Sequence, residues 1–230
     1  MGDHFSREYG KLQHRLLTLF GVAEQMINDA TLALRNRDAH LATRVLDSDQ
    51  RVDAEEVMIE EECLKLLALY QPVNESLRMV AAILKLNSDL ERIADLACNV
   101  AKKSIKLRDF PYFPVPDQLT LISRESTEMV RKALNAFVGQ NLALSKQVIF
   151  GDAVVDRLNR EIVGELKALM KADGDLIEPA LLCMSVSRHF ERIADHAENI
   201  AEDVIYMISG EIIRHRHGDF EIEEAVNVIR

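Results

Sequence analysis

Asp89-Leu90-Glu91-Arg92-Ile93-Ala94-Asp95-Leu96-Ala97-Cys98-Asn99 returns one hundred residues later as His189-Phe190-Glu191-Arg192-Ile193-Ala194-Asp195-His196-Ala197-Glu198-Asn199. Glu, Arg, Ile, Ala and Asp keep the same frame in both copies, as do the later Ala and Asn, at an offset of 100 (191 − 91). Self-similarity at a fixed period marks a tandem repeat. Around the first copy Leu90, Ile93, Ala94, Ala97, Val100 and Ala101 follow helical spacing. Phe190, Ile193, Ala194, Ala197, Ile200 and Ala201 do the same around the second. Each copy therefore lies on a helix with one core-facing stripe, whose small Ala residues let a neighbouring helix come close.

Outward from the motif, the rest of the chain reads as helix too. Only nine Gly and five Pro interrupt 230 residues, and there is no Trp. A sheet protein needs far more punctuation. Leu12, Leu16, Leu19, Phe20, Ala23, Ile27 and Leu34 give a first helix over about Phe5–Arg37. Asp38 is expected to cap a second, Ala39–Leu69. After Gln71-Pro72-Val73, Asn74 is expected to cap a third, Glu75–Leu107, which carries the first motif. Three of the five prolines fall in Asp109-Phe-Pro111-Tyr-Phe-Pro114-Val-Pro116-Asp117, read as a linker over 109–117 with Asp117 capping the fourth helix. The fourth runs to about Phe137 and the fifth over Leu142–Lys171. The sixth, Ile177–Ser209, carries the second motif and stops at Gly210. A helix of about 30 residues is about 45 Å long, and short loops force neighbours to run antiparallel. The expected fold is all-α: two pseudo-symmetric up-down-up three-helix bundles, 1–108 and 118–210, six long antiparallel helices in all. A tail over 211–230 is left open between a short helix and a loose arm.

The repeated helices carry paired acids. Glu91 and Asp95 are four residues apart, as are Glu191 and Asp195. Asp49 and Asp53 on the second helix repeat the spacing, and Asp152 and Asp156 on the fifth repeat it again, at an offset of 103 (156 − 53). Four residues apart, two side chains stack on one helix face, and like charges there repel by about a few tenths of a kcal/mol. A solvated acidic face with Arg92 and Arg192 as counter-charges would account for any one pair. Four pairs in symmetric places point instead to a cation that offsets the repulsion. All-oxygen ligation suits magnesium, calcium, manganese or ferric iron. Asn99 and Asn199 lie one turn beyond the motifs, and His196 lies beside the second. Leu96 stands in the corresponding place of the first. Glu198 and Glu202 extend the acidic strip of the second half where the first has Cys98 and Lys102, so the second half is expected to bind cations better.

Other chemistries find no residues. There is no Gly-rich phosphate loop, no His-Glu-x-x-His, no nucleophile elbow and no Cys-x-x-Cys. The net charge of −10 argues against nucleic acid, whose phosphates it would repel, and is compatible with cations, basic proteins or simple solubility. Cys63, Cys98 and Cys183 sit in apolar-periodic segments and read as reduced core thiols. No run of about 18 apolar residues is present to span a membrane. Met1-Gly2-Asp3-His4-Phe5-Ser6 fits a myristoylation pattern and is read as coincidence. His4, His14, His40, His215 and His217 read as surface residues.

At Glu191-Arg-Ile-Ala-Asp-His-Ala-Glu-Asn-Ile-Ala-Glu202 the chain resembles the PhoU family of phosphate-signalling regulators. The likeness covers nearly the whole chain. His4-Phe5, the Asp49/Asp53 and Asp152/Asp156 pairs and both Glu-Arg-Ile-x-Asp motifs fall in family order, with Ala94 and Ala194 where the family usually has Gly. The resemblance implies two three-helix bundles in a cytoplasmic protein, with membrane contact only through partners. It implies negative regulation of the phosphate-starvation response. The chain would bridge the ATPase subunit of a phosphate ABC transporter and a phosphate-sensing histidine kinase. It also implies a multinuclear iron or zinc cluster, with manganese or magnesium as alternatives. The ligands would be Asp49, Asp53, Glu91 and Asp95 in the first half and Asp152, Asp156, Glu191 and Asp195 in the second. A homodimer is expected, although no residue pattern demands one. The competing readings are a carboxylate-bridged metalloenzyme, which the missing Glu-x-x-His pairs disfavour, and a metal-storage or structural bundle.

Overall fold

The computed structural model describes residues 3–213, so Met1-Gly2 and most of the 211–230 tail, with His215 and His217, lie outside the described residues. Six helices follow in chain order: α1 (Asp3–Asn36), α2 (Ala39–Tyr70), α3 (Asn74–Leu107), α4 (Gln118–Gly139), α5 (Leu142–Ala172) and α6 (Ile177–Ser209). A single 3-10 turn, Gly174–Leu176, precedes α6. Each boundary falls within two residues of the sequence expectation.

The caps show which local signals decide these ends. Asp38 caps α2, its carboxylate accepting from the backbone N–H of His40 and Leu41. Asn141 caps α5 in the same way, accepting from Leu144 N–H at 3.0 Å. Gly210 ends α6 at φ 78, the left-handed geometry glycine adopts without a Cβ clash. Two expected caps are corrected. Asn74 is the first residue of α3, held at φ 55, and Val73 occupies the cap position with no side-chain bond. Asp117 makes no side-chain cap to α4.

The 109–117 stretch is tied down rather than loose. Arg37, just past α1, donates from Nη1 to the carbonyls of Leu107 and Phe110 at 2.7 and 2.6 Å, and from Nη2 to that of Phe113 at 2.8 Å. Phe113 is buried in the core. One guanidinium thus satisfies carbonyls that the end of α3 leaves without partners.

The helices pack α1–α2–α3 and α4–α5–α6, and the two triads join along α3 against α6 and along α1 against α4. One layer therefore runs α2–α3–α6–α5, with α1 and α4 across its back. The joint is fixed by specific pairs. Arg78 Nε donates to Met207 O at 3.2 Å, Lys85 Nζ to Asp203 Oδ1 at 2.8 Å, and His196 Nδ1 lies 2.8 Å from Asp89 Oδ1. As numbers rise along α3 from 78 to 89, they fall along α6 from 207 to 196, so the two helices are antiparallel. The half-turn that superposes the repeats carries the Asp89–His196 contact onto Leu96 and His189. Lys103, the counterpart of Asp203, stands near His189, and burial together with Lys103 and Arg192 holds the His189 imidazole down at about 4.

The core is one continuous cluster. Ala94, Ala97 and Ala101 on α3, and Ala194, Ala197 and Ala201 on α6, are fully buried at the joint, where their small side chains permit close approach. Cys63, Cys98 and Cys183 are free buried thiols, as the sequence indicated. His4, His14 and His40 are exposed.

Candidate functional site

Two acidic clusters lie on the α2–α3–α6–α5 layer, one in each outer groove. In the first groove α2 and α3 run antiparallel, held in register by Asn87 Nδ2 donating to the Glu56 carbonyl at 2.8 Å. That register sets Asp53 beside Glu91 and Asp49 beside Asp95. The electrostatics report the same grouping. The Asp53 carboxyl titrates above the usual range because the groove strips water from it and because Asp49 and Asp95 are near. Glu91 is raised by burial and then by Asp95, with Arg92 opposing. Arg92 lies 3.5 Å from Glu91 and 3.8 Å from Asp95. Cys98 donates its thiol to Asp49 Oδ1 at 3.4 Å, so the first cluster includes a sulfur.

The second groove is built alike and is more acidic. Ser187 donates to Asn159 Oδ1 at 2.7 Å and sets α5 against α6. Asp152 is pushed up to about 6, first by burial and then by Asp195, Asp156 and Glu191. Its Oδ1 is buried and has no hydrogen-bond partner. Glu198 is pushed up to about 7, by burial and then by Asp152, Glu202, Asp195 and Asp156. Glu191 and Asp195 are raised as well, in both cases chiefly by burial. Arg160 reaches Asp156 at 3.3 Å from the exposed side.

The structure thus brings Asp49, Asp53, Glu91 and Asp95 into one groove and Asp152, Asp156, Glu191 and Asp195 into the other. Asn99 and Asn199 are half-buried one turn beyond. His196 is directed differently: its Nδ1 is taken up by Asp89 across the joint. Glu56 and Glu60 belong to the first cluster and were missed. Glu56 is raised by burial, then by Glu60 and Asp53. The Asp53-x-x-Glu56 spacing, one helical turn, was the available signal.

As placed, no three His, Cys, Asp or Glu side chains among the described residues converge closely enough to hold a metal ion. The donor set still fits a hard cation. Both clusters are rich in carboxylate oxygen, carry more negative charge than their arginines offset, and one contains an orphaned buried carboxylate oxygen. Among the described residues no helix is long and apolar enough to cross a membrane.

Comparison with known proteins agrees with this architecture. The family model described as PhoU domain matches residues 16–104 and again 119–204. The phosphate-specific transport system accessory protein PhoU of Serratia marcescens is 33% identical, over 95% of this chain and 90% of that protein. The crystal structure of PhoU from Pseudomonas aeruginosa superposes with a TM-score of 0.87 at 36% identity, covering 90% of this chain and 100% of that one. That of the phosphate transport system regulatory protein PhoU from Streptococcus pneumoniae does so with a TM-score of 0.85 at 28% identity, covering 90% and 98%. Such proteins are accessory regulators and not enzymes. With the domain matched twice and both acidic motifs in equivalent grooves, this chain belongs to the PhoU family.

Proposed function

We propose that the protein regulates phosphate uptake and restrains the phosphate-starvation response as a non-catalytic adaptor. In this reading it works in the cytoplasm between the ATPase subunit of a phosphate ABC transporter and a phosphate-sensing histidine kinase, and self-associates as a homodimer. It reaches the membrane only through those partners. The observation that carries the reading is the pair of acidic clusters in equivalent grooves of one face, in a chain whose relatives are named accessory and regulatory proteins of phosphate transport. Two like-charged grooves on a rigid helical layer offer contact, not turnover.

The same carboxylates would hold cations. Asp49, Asp53, Glu91 and Asp95 would supply the first set of oxygens, and Asp152, Asp156, Glu191 and Asp195 the second, with Asn99 and Asn199 one turn away. A bound iron, zinc, manganese or magnesium cluster would neutralise the grooves and join α2 to α3 and α5 to α6. The functional test is deletion of the gene in phosphate-rich medium. Phosphate-starvation genes are expected to switch on; genes that stay silent would overturn the reading.

A further inference from the structure

Each acidic groove continues into an exposed apolar strip. On α3, Leu77, Ala81, Leu84, Ser88, Glu91 and Asp95 follow one another at steps of three or four and so share a helix face. On α6, Ile177, Leu181, Met184, Arg188, Glu191 and Asp195 do the same. Leu77 is 43% exposed and Ile177 44%; Leu181 is 53% exposed, as is Leu64 on α2 across from the α3 strip. The apolar end lies about 20 Å from the acids, fourteen residues at about 1.5 Å each. Since α3 and α6 are antiparallel, the two apolar ends lie at opposite ends of the layer. The face repeats one pattern, apolar then acidic, after a half-turn about the axis between α3 and α6.

We propose that this face is a docking surface for a two-fold symmetric protein that presents the same helix twice, with an apolar tip and basic residues about three to four turns away. The proposal rests on the adaptor reading and names the symmetry of the partner. A two-fold partner places identical helices a half-turn apart, which is how the two grooves are related. A partner with a single such helix would leave one exposed apolar end uncovered. A second copy of this chain does not fit, because its acidic grooves would face acidic grooves.

The test uses the full chain, treated with chelator, and the transporter ATPase subunit held as its nucleotide-bound dimer. Light scattering gives the stoichiometry of the complex and calorimetry the affinity. One chain per ATPase dimer is expected. Leu77→Asp and Ile177→Asp should each weaken binding by about tenfold or more, and the double variant by about a hundredfold, as for apolar anchors at an interface. Both positions are exposed in the first turn of a helix, so thermal unfolding should hardly move. Two chains per dimer, or an effect from only one of the two variants, overturns the symmetry proposal and leaves the adaptor reading standing. No binding by the parent chain overturns both.

Discussion

His196 Nδ1 lies 2.8 Å from Asp89 Oδ1, a contact between the two repeats at positions where the repeats themselves differ. Asp89 has His189 as its counterpart, and His196 has Leu96. Both partners are mostly covered, with side-chain exposures of 18% and 16%. A pair of this kind contributes about 1 kcal/mol and helps to fix how α3 seats on α6. A double-mutant cycle with Asp89→Asn and His196→Gln should return a coupling of that size in denaturant unfolding. Strictly additive effects would mean that the contact contributes nothing to the joint.

The acidic clusters make stability depend on pH in an unusual direction. Asp152 and Glu198 titrate at about 6 and about 7 in the folded chain, against ordinary values of 3.8 and 4.5. Between the ordinary and the raised values the folded state binds more protons than the unfolded one, so stability falls as pH rises. Their contribution is complete below about pH 4 and is lost by about pH 7 to 8. In chelator, the melting temperature should therefore be higher near pH 5.5 than near pH 8. A melting temperature that rises steadily over that range would refute the assignment.

Asp152 isolates the repulsive part of this account. Its buried Oδ1 lacks a partner, and an uncompensated buried carboxylate is costly. Asp152→Asn should raise stability in chelator by about 1 kcal/mol, read from the urea midpoint. The same variant should lose any gain in melting temperature that added manganese gives the parent. Destabilisation in chelator would mean that the carboxylate is already well satisfied.

Arg37 tests whether the inter-repeat stretch is structural. Arg37→Ala strips partners from the carbonyls of Leu107, Phe110 and Phe113, and should cost about 2–4 kcal/mol. Arg37→Lys should recover little, because one ammonium cannot reproduce the planar fork. Wild-type unfolding midpoints in both variants would show the stretch to be an idle tether.

Elemental analysis addresses the cation directly. Untagged protein should carry iron, zinc or manganese, and a variant lacking Glu91, Asp95, Glu191 and Asp195 should carry none. Equal metal content in the two would move the site elsewhere.

Much of this was legible in the chain because it is local. Helical spacing, Asp38, the prolines and Gly210 placed the six helices, and the offset of one hundred residues announced the symmetry. Local signals failed where two readings competed. Asn74 has a capping side chain, yet the turn through Pro72 leaves it inside the helix at positive φ. The four acidic pairs were legible as pairs. That Asp53 meets Glu91 and Asp152 meets Asp195 depends on the register between helices, which Asn87–Glu56 and Ser187–Asn159 set. His196 looked like an addition to the acidic strip beside it, since nothing in the local spacing reveals Asp89, more than one hundred residues away. Arg37 was invisible for the same reason: its partners are backbone carbonyls, which carry no sequence signature.

The account rests on the two grooves acting as the working surface of the protein. The most direct measurement replaces all eight carboxylates, Asp49, Asp53, Glu91, Asp95, Asp152, Asp156, Glu191 and Asp195, by their amides in a strain lacking the native gene. A phosphate-starvation reporter is then read in phosphate-rich medium, with folding of the variant checked by circular dichroism. The parent should restore repression and the amide variant should leave the reporter on. Full repression by the folded amide variant would contradict the account.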